Sequence, residues 1–214
     1  ISDGHFLLNE RPVDQEPHDD WLQPPAGTYP QQEFSLVEDG EFGVAVLAAG
    51  LPEVEPRRDK DGRVLLALTL LRSVGWLSRD DFPTRRNMNA GPTIPTPDAQ
   101  CQGPRAFRYA VLPYAGDWVS AGVKRMSRLW RTPSLTMQGV RDLHVTGGTG
   151  LVRTTSDAAS VTAVKKHEER DTLIVRLYNL TGEPVRERLE FGVEPASAWT
   201  CDLLEERAAP VVVN

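Results

Sequence analysis

The feature that most restricts the fold is a continuous apolar run of eight residues, Val64 to Leu71, which leads into a long polar segment. Turn residues bound the run, and a short apolar run of this kind is typical of a strand buried on both faces. From Ser78 to Gly103 the chain is rich in Arg, Asp, Pro and Gly. A loop of that size on a β-strand is usually functional or held against another domain. The pattern therefore predicts a β-protein whose function is to be sought at the long loop.

Strand patterns and turn residues alternate along much of the chain. Asp39-Gly40 lies between strand patterns at 33–38 and 42–47, which predicts a β-hairpin. A second turn is predicted around Asp61-Gly62, within the charged segment 53–63. Gly and Pro number 17 each, which suits many short strands joined by turns.

The second half of the chain continues the β pattern. Arg105 to Leu112 alternates, so Phe107, Tyr109 and Val111 are predicted to share one face, with Arg108 on the other. Short strands at this spacing are typical of a β-sandwich. Five further strands are predicted, at 140–145, 160–166, 172–178, 185–191 and 199–204.

One helix is predicted, over 117–131. Asp117 is a suitable N-cap, and Val119, Val123, Met126 and Trp130 then recur at helical spacing. The helix should end near Thr132, because a residue before a proline is disfavoured in helical conformation.

A glycine-rich bend at 147–150 is the predicted boundary between two parts of the chain. Residues 1–146 would form the main β-sandwich part, with the long loop 78–104 and the helix. Residues 147–214 would add strands that complete the sandwich or form a small second β sub-domain.

The charge balance excludes some classes of partner. The chain has 24 basic and 30 acidic residues, a net charge of −6. We therefore expect no binding to nucleic acid or to an anionic membrane surface, since both need clustered positive charge. No apolar run approaches the roughly 20 residues of a membrane-spanning helix. No secretory signal is visible, so a cytoplasmic location is expected.

The ends of the sequence suggest a piece of a longer chain. It starts at Ile1 without a methionine and stops at Asn214, directly after an apolar triplet typical of a strand. We therefore expect an internal fragment of a larger protein.

A search for catalytic or metal-binding motifs finds no complete set. Neither Cys101 nor Cys201 lies in a recognisable catalytic motif, and the Gly-x-Ser-x-Gly motif is absent. The sequence neither predicts nor excludes a disulfide between the two cysteines. This chain alone is therefore expected to hold no metal site and no catalytic residue. None of the four histidines has a second ligand at the spacing of a zinc site: His5, His18, His144 and His167.

The long loop has the best claim to a functional role. Arginine offers planar donors that match carboxylates. Just before the loop, Trp76 offers a flat apolar face suited to a sugar ring, although a tryptophan more often lies in the core. The alternative is a solvated surface excursion without function. The loop carries one cluster of five charged residues: Arg79, Asp80, Asp81, Arg85 and Arg86.

Four segments together resemble a known family. They are, in order, LLALTLLRSVGWLSRDD, AGPTIPTPDAQCQG, FRYAVLPYAGDW and TAVKKHEERDTLIVRLYNLTGEP, with FGVAVLAAGLPEVE upstream of them. In order and spacing they resemble the C-terminal β-domain of the α-mannosidases of glycoside hydrolase family 38. The resemblance covers roughly residues 42 to 184.

This resemblance implies a fold and an enzyme class. The fold would be mainly β, with antiparallel β-sandwich layers of the galactose-mutarotase-like supersandwich type and one short helix. The parent would be a retaining α-mannosidase with an Asp nucleophile, an Asp acid/base and a zinc ion, all held by an N-terminal catalytic domain outside this chain. The chain itself would be non-catalytic and inactive alone. Its partners would be that catalytic domain and an α-mannoside substrate.

The resemblance also implies that a few side chains, an arginine among them, extend towards the rim of the sugar site. The best-matched candidates are Arg72, at the end of the apolar run, and Arg86 in the loop, with Trp76 as a third. The choice between the two arginines stays open. An equally simple alternative is that Arg72 pairs with a loop carboxylate such as Asp80 and only holds the loop in shape.

Two further hypotheses come from other functional classes. A purely structural interaction domain would make no contact with the sugar. An autonomous carbohydrate-binding sandwich would need an exposed line of aromatic rings, and the five tryptophans are widely spread in sequence: Trp21, Trp76, Trp118, Trp130 and Trp199.

Overall fold

The computed structural model describes residues 1–16, 18–82, 90–136, 138 and 150–213, and the backbone of residues 85–86. The fold is mainly β, with antiparallel sheets and an α-helix in the described part, as the sequence predicted. The chain divides into two compact units, Ile1–Asp117 and Trp118–Asn214. The predicted boundary at 146/147 and the predicted strand 140–145 lie outside the described residues, so both stay predictions.

The first unit contains a five-stranded antiparallel sheet in the order β10-β5-β4-β1-β2. The Asp39-Gly40 hairpin between β4 and β5 is confirmed, and the Asp39 carboxylate accepts hydrogen bonds from the backbone N–H groups of Glu41 and Phe42. The strands of this sheet are β1 (Ser2–Asp3), β2 (Leu8–Asn9), β4 (Phe34–Glu38), β5 (Phe42–Ala49) and β10 (Arg108–Ala115).

The first unit also contains a three-stranded sheet, β3-β6-β7. It consists of β3 (Tyr29–Pro30), β6 (Glu53–Arg58) and β7 (Val64–Leu68), and β7 contacts β4 of the larger sheet. Burial of their large apolar groups is the main stabilising term for such sheets. The buried apolar side chains of this unit lie on these strands and their connections: Tyr29, Phe34, Leu36, Ala45, Leu47, Ala48, Leu51 and Val54.

The charged segment after β5 is a strand where the sequence predicted a turn. Glu53–Arg58 forms β6, paired with both β3 and β7, and Val54 is fully buried. Pro56 is tolerated because β3 pairs only with the first two residues of β6. The turn itself is shorter than predicted and is stabilised by the Asp59 carboxylate, which accepts the N–H groups of Asp61 and Arg63.

The prediction that Val64–Leu71 is a strand buried on both faces is wrong. The strand ends at Leu68, and β7 lies at the edge of its sheet with β6 as its one neighbouring strand in the described part of the chain. Leu65, Leu70 and Leu71 are each about half exposed. A run of apolar residues predicts that neighbouring groups bury both faces of a strand. Within the described part of this chain, no neighbouring group fully buries these three leucines.

The alternation is confirmed from Arg108 onwards, whereas Arg105 to Phe107, which were predicted to share it, precede the strand β10. β10 pairs with β5 in an antiparallel register that runs from Arg108↔Ala49 to Ala115↔Phe42. Tyr109 and Val111 therefore share a face, and Arg108 points to the other. Both apolar side chains are largely exposed.

The helix, α1, runs from Val123 to Arg131, so the predicted start at Asp117 is wrong. Gly122 precedes it with a left-handed backbone (φ 65°), which breaks helical continuity with the residues before it. The predicted end is confirmed, with Thr132 as the C-cap. The buried side of α1 consists of Val123, Lys124 and Ser127, whereas Met126, predicted on the apolar face, is exposed.

Among its described residues, the second unit contains three pairs of antiparallel strands: β11 with β14, β12 with β13, and β15 with β16. The predicted strands at 160–166 and 172–178 are confirmed as β12 and β13. The predicted strands at 185–191 and 199–204 are shorter than expected. The bounds are β11 (Val152–Thr154), β12 (Ala159–Lys166), β13 (Leu173–Asn179), β14 (Leu189–Phe191), β15 (Ala198–Cys201) and β16 (Arg207–Val211).

Candidate substrate-rim and domain-contact region

Arg72 lies four residues beyond the end of β7. Its Nη1 is 3.6 Å from Oε2 of Glu53, and its side chain is 76% exposed. The other carboxylate oxygen of Glu53 accepts the Thr69 hydroxyl at 2.8 Å. The expected partner Asp80 is therefore replaced by a carboxylate at the start of β6. At 3.6 Å and high exposure this ion pair is weak, so the guanidinium keeps most of its donor capacity for another group.

The segment after Arg72 forms a hydrogen-bonded stem for the long loop. The Thr96 hydroxyl donates to the Val74 carbonyl at 2.9 Å, and the Thr96 N–H donates to the Gly75 carbonyl at 3.0 Å. The Leu77 N–H donates to the Ile94 carbonyl at 2.8 Å, and the intervening residues make an isolated antiparallel bridge. A 3-10 helix, Pro97–Gln100, follows. The loop is therefore closed at its base by backbone pairing, unlike a free surface excursion.

A short hairpin lies within the loop. β8 (Asp81–Phe82) pairs with β9 (Arg85–Arg86), and Arg86 stands opposite Asp81 in the backbone register. The side chain of Arg86 lies outside the described residues. The guanidinium of Arg79 donates through Nε to Oδ1 of Asp81 at 2.7 Å and through Nη2 to Oδ2. This hydrogen bonding holds the pKa of Asp81 below its usual value and raises the pKa of Arg79.

Trp76 does not lie in the core, although a tryptophan more often does. Its side chain is 42% exposed, and its backbone bridges to Pro95 at the base of the loop. Trp76 is one of several exposed apolar residues in this stretch. Their exposure was not predicted, because the apolar run among them was interpreted as a buried strand. We call the following set the loop surface: Leu70, Leu71, Val74, Trp76, Leu77 and Ile94.

The loop surface is a group of exposed apolar residues that lie close together in sequence. Single exposed apolar residues are normal, whereas contiguous exposed patches mark surfaces used for binding. Arg72 lies within the same stretch of chain, directly after Leu71.

A polar network in the second unit connects two hairpins. His167 is buried in the turn between β12 and β13, where its Nδ1 accepts the N–H groups of Glu169 and Arg170 at 3.0 and 3.1 Å. Arg170 in turn donates from Nη2 to the carbonyl of Glu205 at 2.9 Å, in the turn between β15 and β16. Lys165 Nζ lies 2.7 Å from Oε1 of Glu205, whose hydrogen bond raises the pKa of that lysine. These contacts stabilise the two hairpins, because the charged side chains of Lys165 and Arg170 contact Glu205 of the same unit.

The described residues contain no group of three or more His, Cys, Asp or Glu side chains placed to hold a metal ion. Cys101 and Cys201 are free thiols. No helix in the described residues is long and apolar enough to cross a membrane.

Comparison with known proteins connects the two units to one family. Residues 158–214 match the family described as "Glycosyl hydrolases family 38 C-terminal beta sandwich domain". An alpha-mannosidase from Enterococcus faecalis V583 superimposes on 99% of this chain with a TM-score of 0.73 and 26% identity. The resemblance to the C-terminal β-domain of family 38 is confirmed. A protein of Glycosyl Hydrolase Family 38 from the same species covers 87% of the chain, with a TM-score of 0.64 and 27% identity.

A curated relative agrees with this result. The "Putative mannosylglycerate hydrolase" of Halalkalibacterium halodurans is 34% identical over 122 residues, which is 57% of this chain. The chain spans only 12% of that relative and 23% and 21% of the two solved chains. The family 38 relatives are therefore much longer than the stretch they share with this protein.

Proposed function

We propose that this chain is the non-catalytic C-terminal β part of a retaining α-mannosidase and acts by packing against a catalytic domain. The loop surface is the single observation that supports the proposal, because exposed apolar side chains on a chain similar to family 38 proteins suit a contact with another domain. The relatives supply the reaction class, since one is a solved alpha-mannosidase and another is named a mannosylglycerate hydrolase. We place the nucleophile, the acid/base and the zinc ion in the catalytic domain, and we expect the whole enzyme to be cytoplasmic.

Within this proposal, Arg72 is the favoured residue at the rim of the sugar site. Its guanidinium is exposed, weakly paired and part of the stretch that would meet the catalytic domain. A guanidinium donates to sugar hydroxyls and binds carboxylates in a planar fork. Trp76 would offer its ring beside it. Arg86 remains the second candidate through its position in the β8–β9 hairpin.

The experiment compares the 214-residue chain with the full-length enzyme that contains it. Both are assayed on an aryl α-mannoside and on mannosylglycerate, and the chain alone is titrated with mannose oligosaccharides. We expect hydrolysis by the full-length enzyme, none by the chain, and no saturable sugar binding by the chain. Hydrolysis by the chain alone would overturn the proposal. Saturable binding would instead support an autonomous carbohydrate-binding module.

A further inference from the structure

A cleft lies in the first unit beside β6, where the neighbouring strand β3 ends. β3 pairs only with Glu53 and Val54, so on that side β6 has no neighbouring strand over residues 55–58 in the described part of the chain. Residues 13–15 and 24–27 of the N-terminal segment also line the cleft. Its volume of about 330 Å³ is in the range of small-molecule sites, roughly 300–1,000 Å³.

Two oppositely charged side chains on β6 line the cleft. Glu55 and Arg57 are two positions apart on the strand, so their side chains point to the same face. Within the described residues, neither side chain makes an ion pair or a hydrogen bond. A Cβ atom on Gly27 would lie 3.6 Å from Oε1 of Glu55. Because glycine has no side chain, this carboxylate stays open to the cleft.

The other two charged residues of the cleft neutralise each other. Arg58 donates from Nε to Oδ2 of Asp14 at 2.7 Å and from Nη1 to the Gly62 carbonyl at 3.0 Å. This ion pair connects the N-terminal segment to the end of β6. Among the described lining residues, one carboxylate and one guanidinium therefore stay available to a ligand.

We propose that this cleft binds a small zwitterion of the α-amino acid class. The ligand's carboxylate would accept hydrogen bonds from the planar guanidinium of Arg57, and its ammonium group would donate to the carboxylate of Glu55. A simple anion would meet Glu55 as a like charge, and a simple cation would meet Arg57 as one. A neutral sugar would leave both charges without an ionic partner.

The remaining lining favours a ligand with an apolar side chain. Three prolines contribute hydrocarbon surface to the cleft, and such surface around a few polar groups is typical of small-molecule sites. They are Pro24, Pro25 and Pro56. An amino acid with a branched aliphatic side chain, such as valine, therefore combines the two charged groups with a matching apolar part.

The test is a ligand-observed NMR titration of the full-length enzyme with L-valine. Isovalerate has the same skeleton without the ammonium group, and isobutylamine has it without the carboxylate. We expect saturable binding of L-valine with a Kd of about 1 mM, and binding of the two single-charge analogues that is weaker by about tenfold or more. No saturation by L-valine would overturn the proposal. Equal affinity for either analogue would also overturn it, because one charge would then be sufficient.

Variants of the same enzyme test whether the two charges form the site. Glu55→Gln and Arg57→Gln each remove one charge, and each should weaken the binding of L-valine by about tenfold. Lys60→Gln, on the exposed turn after β6, is the control and should leave the Kd within about twofold of the wild type. Unchanged affinity in the Glu55 and Arg57 variants would contradict the proposal. None of these readouts involves hydrolysis of a mannoside, so the result is independent of the proposed function.

Discussion

Gly43 on β5 is a glycine at which an added side chain would find no room. It stands directly opposite Tyr114 in the β5–β10 register, and the tyrosine ring lies over the position that a Cβ atom would occupy. The Tyr114 hydroxyl reaches across to Oε2 of Glu38 on β4 at 3.0 Å. Burial and this hydrogen bond raise the pKa of Tyr114 well above its usual value. Because Gly43 on β5 has no side chain, the Tyr114 side chain of β10 can lie across β5 and reach Glu38 on β4.

Gly43→Ala should therefore destabilise the protein, because the new methyl group overlaps the ring. Overpacking of this kind costs about 1–3 kcal/mol. Urea unfolding would measure the change, and Gly182→Ala serves as the control because a Cβ there meets no atom within 4 Å. In a Tyr114→Ala background the cost of Gly43→Ala should disappear. An unchanged cost in that background would show that the ring is not the cause.

Arg72 provides the prediction that separates a substrate contact from a structural role. In the full-length enzyme, Arg72→Ala should lower kcat/KM for an α-mannoside by about tenfold, which corresponds to roughly 1.4 kcal/mol of transition-state binding. The thermal midpoint should stay unchanged, because the exposed pair with Glu53 contributes little to stability. Arg63→Ala, on an exposed turn, is the control. A tenfold loss in Arg86→Ala alone would move the role to the loop hairpin.

At the scale of elements, His167 fixes the turn between β12 and β13. His167→Ala removes a buried imidazole that accepts two backbone N–H groups, and those N–H groups lose their hydrogen-bond partner. The free energy of unfolding should therefore fall by about 1–3 kcal/mol. His167→Asn should recover part of that loss, because an Asn carbonyl accepts similar hydrogen bonds in turns. His18→Ala, on an exposed segment, is the control for chemical denaturation. Equal losses in the Ala and Asn variants would contradict a role as acceptor.

Glu187 connects the segments that flank β11 and β14 and makes this connection dependent on pH. Its Oε1 accepts the Thr155 N–H at 2.7 Å and the Thr155 hydroxyl at 2.9 Å, and Oε2 accepts the Ser156 hydroxyl. Burial opposes ionisation, but these hydrogen bonds outweigh it and hold the pKa of Glu187 below its usual value of about 4.5. Because the folded pKa is lowered, the stabilisation is complete above that value and is lost as the pH falls through the folded pKa.

Glu187→Gln should therefore be less stable than the wild type at pH 7, and the difference should shrink towards pH 3. Urea unfolding of both proteins at the two pH values would show it. A difference that stays constant with pH would mean that ionisation of Glu187 is not involved.

Elements that carry their own local signal were predictable from the sequence. The β4–β5 hairpin and the β12–β13 pair have alternating residues and turn signals, and both are confirmed. β6 was missed because its one deeply buried side chain, Val54, is surrounded by charges. The helix start was missed because an N-cap pattern at Asp117 does not reveal the left-handed backbone of Gly122.

Non-local contacts explain the remaining differences. The pairing of Arg72 with Glu53 depends on the register between β6 and β7, which brings residues 19 positions apart together. The exposure of β7 depends on whether another part of the protein packs against the strand. The spacing of apolar residues along the sequence gives no information about such a packing partner. The candidate arginine could therefore be named from sequence, whereas its surroundings could not.

At the scale of the molecule, the loop surface is a group of exposed apolar side chains on the first unit. The described residues offer no metal-binding group. Under the proposed function, this chain would support catalysis by its contacts, and the catalytic groups would lie in another domain.

The most direct measurement of this claim divides the full-length enzyme at the start of this chain and assays the pieces on an aryl α-mannoside. We expect the 214-residue piece to be inactive, the other piece to have lost at least tenfold in activity, and activity to return when the two are co-expressed. Activity in the 214-residue piece alone, or full activity in the other piece without it, would contradict the account.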